Sequence, residues 1–190
     1  MKQSRRNPGV ALVLASLVTG CPGPEPYDDG TYVYDGYGTI ERDPACKLKG
    51  NLELSLGEGD GMNFTPLAPG QEPVVYHGPQ GGSHLILGVS VANPATEFPG
   101  LQVQFLLQRQ RCDPAENCLP PETMGRDERL VSDPERFLPQ EGGAVSVSGI
   151  LVLLGDWEPT QSRRIQVQAL DRCGRAGVAS LQLGPPGSWP

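Results

Sequence analysis

The chain has 190 residues, a formal charge of −7 and an isoelectric point near 4.8. That length suits one domain with a single core, and the acidic balance argues against binding nucleic acid, or anionic lipid through basic patches. Its 25 glycines and 20 prolines are many for a helical protein and favour short strands joined by turns.

The first residues set a basic opening (Lys2, Arg5, Arg6) before an apolar run from Val10 to Leu17. A run this short cannot span a bilayer, and with small residues after it the pattern reads as a secretory signal. Val18-Thr19-Gly20-Cys21 resembles the lipobox of bacterial lipoproteins. There the cysteine sulfur takes a diacylglyceryl group, and cleavage leaves that cysteine first. The resemblance implies a signal peptide over 1–20, lipidation at Cys21 and attachment to a membrane through that lipid. Pro22 rather than Asp after the cysteine resembles lipoproteins sent to the outer membrane, so the expected place is the cell envelope, periplasmic or surface-exposed. Loss of three bases and no acids with residues 1–20 would take the formal charge from −7 to −10.

Residues 21–45 read as the lipidated cysteine and a linker. Pro22-Gly23-Pro24-Glu25-Pro26 can be neither helix nor strand. Four of the five tyrosines (Tyr27, Tyr32, Tyr34, Tyr37) follow among Asp and Gly. A flexible linker of this length reaches roughly 25–30 Å. Two roles are open: a solvated spacer, or a tyrosine-rich segment that docks on a partner or on its own domain, with Thr31–Tyr34 as a short edge strand.

From Cys46 to the end of the chain, the dominant period is two. Lys47–Leu56 sets Leu48, Leu52, Leu54 and Leu56 against Lys47, Lys49, Asn51 and Glu53. Glu58-Gly59-Asp60-Gly61 is a turn without calcium-loop spacing. His77-Gly78-Pro79-Gln80-Gly81-Gly82-Ser83-His84 then carries both histidines of the protein. This element resembles one in uncharacterised bacterial lipoproteins with sandwich domains, which implies a fold and no activity. Because imidazole ligates transition metals, His77 and His84, with Glu72 as the nearby supplement, form a candidate metal or small-ligand site.

Further strands are predicted at His84–Asn93, Leu101–Gln110, Ala144–Leu154, Ile165–Ala169 and Val178–Leu183. In Ala144–Leu154 the expected core face is Val145, Val147, Leu151 and Leu153. Residues 112–143 are an insertion, with a seventh strand near Arg129–Val131 and one helical turn capped by Ser132 and Glu135. Six clear strands plus the seventh predict an all-β fold, an antiparallel β-sandwich over 46–190. The closing segment Ile165–Val178, with Asp171-Arg172-Cys173-Gly174 at its turn, resembles the last hairpin of immunoglobulin-like domains on bacterial surfaces. Trp157 sits in a Gly-Asp-Trp-Glu-Pro loop, away from an immunoglobulin-type Cys–Trp–Cys core.

Setting Cys21 aside leaves four cysteines, which allow three pairings. Cys112 and Cys118 flank a short loop, which leaves Cys46 with Cys173. In a seven-strand sandwich the first strand starts where the sixth ends, so that pair falls at one end. No Gly-x-Ser-x-Gly, His-Glu-x-x-His or phosphate-loop pattern is present. The reading is a non-catalytic binding or structural protein of the envelope. It needs no cofactor and no nucleic acid, and an envelope protein is its candidate partner. The alternative is a lipoprotein binding metal or a small ligand through His77 and His84.

Overall fold

The computed structural model describes residues 38–112, 118–155 and 161–184. The expected signal peptide, Cys21 and Tyr27 to Tyr37 lie outside the described residues, as does Trp157. Two antiparallel sheets face each other. The first is built on β1 (Leu54–Glu58), β4 (Ser83–Val91) and β8 (Val145–Leu154). Three two-residue strands border it: β2 (Thr65–Pro66), β3 (Tyr76–His77) and β7 (Leu138–Pro139). Its order is β2-β1-β4-β8-β7, with β3 also on β4. The second sheet contains β5 (Leu101–Gln110), β6 (Glu122–Val131), β9 (Ser162–Asp171) and β10 (Ala176–Leu183), in the order β10-β9-β5-β6.

Alternation drives this arrangement, because every second side chain of a strand meets the facing sheet. Leu85, Leu87, Val89 and Val91 of β4 face Leu101, Val103, Phe105 and Leu107 of β5 and Ile165, Val167 and Ala169 of β9 across one apolar core. Each large member contributes about 1.5–3 kcal/mol by leaving water. The sheets are stitched along both sides. Leu52, just before β1, donates its N–H to the Ala176 carbonyl of β10 at 2.9 Å. Gly155 donates to the Met124 carbonyl of β6 at 3.0 Å. Met124 is free to accept because pairing with β5 steps from Leu107–Gly125 to Gln108–Thr123 and skips it.

The fold class is the expected sandwich, with seven strands of five or more residues and the three short ones among the described residues. Several boundaries differ. Lys47–Asn51 is not strand: Gly50 turns the chain at φ +95°, and Leu52 bonds to the opposite sheet. The seventh strand expected near Arg129–Val131 is the end of β6, which runs for ten residues inside the insertion 112–143. The charged sequence conceals the rest of the strand, because β6 is an edge and only part of it meets the core. The turn after β6 is a 3-10 helix over Pro134–Arg136, capped by Asp133, whose carboxylate accepts from the Glu135 N–H. Ser132 is therefore not the cap. In β8 a bulge sets Ser148 and Gly149 against Gly88 alone, with Gly149 at φ +77°. The extra residue flips the alternation, so Val147, Ile150 and Val152 face the core while Leu153 is 67% exposed.

The bulge also anchors a crossing loop. Ser148 Oγ donates to the Asn63 carbonyl, and Gly149 N–H bonds to the Gly59 carbonyl at 2.9 Å. A Cβ at Gly57 would lie 2.5 Å from the Phe64 ring, and one at Gly88 3.0 Å from it, so glycine spacing here serves close packing.

Candidate functional site

The inward row of β9 reads Arg163, Ile165, Val167, Ala169, Asp171: three apolar residues between two buried charges. Each charge organises one end of the sandwich. At the first end, Asp171 holds the turn Asp171–Arg175. Its Oδ1 accepts the N–H groups of Cys173 (2.9 Å) and Arg175 (2.8 Å), and its Oδ2 accepts Arg175 Nε at 2.8 Å. Both side chains of this ion pair are about 5% exposed. Arg175 also donates to the Asn93 carbonyl, which ties the turn to the loop after β4. The Cys46–Cys173 disulfide lies beside it, with a Cα separation of 5.2 Å.

This same end opens into an apolar pocket of about 180 Å³. Its floor is Leu52, Val91 and Leu101, and its walls include Phe98 of the β4–β5 loop and Phe137 after the 3-10 helix. Pro94, Pro99 and Pro134 line it as well, and among the described residues Asp171 is its one charged lining residue. Prolines fix the backbone of both flanking loops, so the walls are set before anything binds. A 150 Å³ apolar cavity is known to take benzene, so this pocket suits one aromatic or branched aliphatic group and not a drug-sized ligand.

At the opposite end, Arg163 is fully buried and clamps Glu72 with two hydrogen bonds, of 2.9 and 2.5 Å. Glu72 is 45% exposed and sits in the segment between β2 and β3, so this pair ties that segment across to β9. The Cys112–Cys118 disulfide closes a small loop here.

The histidines lie at this second end, and the structure does not bring them together. In the β3–β4 pair, Tyr76 opposes His84 and His77 opposes Ser83. Opposed residues share a face and neighbours alternate, so His77 and His84 project from opposite faces. His84 stacks on Tyr76 at 5.7 Å, and His77 Nδ1 bonds Ser83 Oγ at 2.9 Å. Glu72, the expected third ligand, is engaged by Arg163. Among the described residues, no three His, Cys, Asp or Glu side chains converge as metal ligands. Asp60 serves its own turn: the N–H groups of Met62 and Asn63 bond its carboxylate and hold it below the ordinary carboxylate range.

All four body cysteines pair as expected, Cys46 with Cys173 and Cys112 with Cys118. Periodicity missed the pocket, because its walls come from loops. One signal was present: three of the four phenylalanines, Phe64, Phe98 and Phe137, lie outside strands. Apolar aromatics in such segments mark loops folded back onto the body. Fold and site together define a disulfide-stapled β-sandwich with an apolar pocket at one end. No protein-family model matches the chain, and no curated protein matches it either.

Proposed function

We propose that this chain is a lipid-anchored protein of the cell envelope, whose sandwich is a non-catalytic binding module. In this reading Cys21 carries the acyl anchor, the following linker spaces the domain from the outer membrane, and the end pocket receives one apolar side chain of an envelope protein. The observation that carries it is cysteine usage. Of five cysteines, four are taken by two disulfides, and the remaining one is Cys21, at the end of Val18-Thr19-Gly20-Cys21. Disulfides persist in oxidising compartments, which fits export. Acyl chains contribute about 0.8 kcal/mol per buried methylene, so two or more chains anchor stably.

The test is Cys21→Ala expressed in the cell of origin. The expected product is a precursor that keeps residues 1–20 and gains no acyl mass. Normal cleavage and membrane retention of that variant would overturn the anchor.

A further inference from the structure

We propose that the end pocket is a phenol site, which takes a tyrosine side chain from the partner. The inference rests on the reading of this pocket as a docking site and names the group it selects. Leu101 and Asp171 are opposed in the β5–β9 ladder, so their side chains project from the same face of the sheet. Leu101 is 3% exposed and Asp171 4%, and both line the pocket. The carboxylate therefore stands beside the apolar floor, on the core side of the sheet.

Its bonding leaves room for one more donor. A carboxylate has about four acceptor positions. Oδ1 accepts the N–H groups of Cys173 and Arg175, and Oδ2 accepts Arg175 Nε. Among the described residues, Oδ2 therefore keeps one open acceptor position. A group that fills the pocket strips water from that position, and a buried acceptor left unpaired costs free energy. A hydroxyl at the leading end of the group restores the bond, whereas a hydrocarbon does not. A neutral donor fits best. Arg175 already balances the Asp171 charge, and its guanidinium, 2.8 Å from the carboxylate, repels a second cation. Size completes the choice. A cavity of about 180 Å³ walled by Phe98, Phe137 and prolines takes one aromatic ring. Among side chains, the ring whose para hydroxyl leads it to the floor is that of tyrosine. Phenylalanine and leucine lack the donor, and serine and threonine bury too little apolar surface.

The experiment compares p-cresol, the side chain of tyrosine, with p-xylene, in which a methyl group replaces the hydroxyl. Benzylamine supplies the cationic comparison. The protein is the full-length chain in detergent, with free ligand concentrations set by dialysis against detergent-free buffer. A purely apolar pocket favours p-xylene, because a hydroxyl there loses water without gaining a partner. A phenol site reverses that order. p-Cresol should bind about ten-fold tighter than p-xylene or better, with benzylamine weakest. p-Cresol should shift the Leu101 and Val145 methyl signals together with the Asp171 carboxyl carbon, which Asp171→Asn assigns. p-Xylene should move the methyl signals alone, and Ala95→Trp, at the pocket wall, should block both ligands. If p-xylene or benzylamine binds as tightly as p-cresol, the inference is overturned and the pocket reading stands. An Asp171 carbon that ignores p-cresol, or p-cresol binding that survives Ala95→Trp, also overturns it. If none of the three ligands enters, both readings fall.

Discussion

The two ends of the sandwich solve one problem, a charge buried at the end of β9, in different ways. At the Asp171 end both partners are buried four residues apart, and the turn they hold is closed by a disulfide across 127 positions. At the Arg163 end the cation is buried, its carboxylate partner reaches solvent from 91 positions away, and the disulfide closes only six. The first end is locked to the core, whereas the second holds a long surface segment in place. A pocket with fixed walls belongs at the locked end, and that is where it occurs.

The sharpest way to break this contrast is to remove the disulfides separately. Cys46→Ser with Cys173→Ser should cost about 4–5 kcal/mol in a chain-entropy treatment, against about 2 kcal/mol for Cys112→Ser with Cys118→Ser. Urea unfolding of the two variants checks it, and equal losses would erase the distinction between ends. Asp171→Asn comes next. It leaves Arg175 buried without its counter-charge, with an expected loss of about 3 kcal/mol and a weakened pocket wall, read by urea midpoint and p-cresol affinity.

Glu72→Gln is smaller, about 2 kcal/mol, because solvent already screens the exposed carboxylate. Adding Arg163→Met should recover most of that loss, since a buried cation that has lost the Glu72 charge is worse than none. A double variant weaker than Glu72→Gln would show that Arg163 is held for another reason. The smallest effect is pH dependence at Asp60. Its pKa is lowered in the folded state, so its contribution is present above the ordinary carboxylate range and fades as pH falls through the folded value. Asp60→Asn should flatten the acid limb of a stability–pH curve slightly.

Legibility in the sequence followed burial. Leu101–Gln110 alternates cleanly because one face meets the core, and its strand boundaries are those expected. β6 was legible only at its end, Arg129–Val131, because Glu122–Val131 is a charged edge, and the phase of β8 was hidden because no period-two reading places a bulge at Gly149. The disulfide pairing was readable from the short Cys112–Cys118 spacing together with strand order, even though Cys46 precedes β1 by eight residues. The histidines misled because closeness in sequence says nothing about which face of a hairpin a residue takes. Loop-built walls such as Phe98 and Phe137 left only the trace of aromatics outside strands.

The central claim is the mature form of the protein. The most direct measurement is the intact mass of native protein extracted from membranes without reductant. The expected species begins at Cys21, carries added acyl mass and lacks four hydrogens for its two disulfides. A soluble chain that retains Met1 and carries reduced thiols would contradict it.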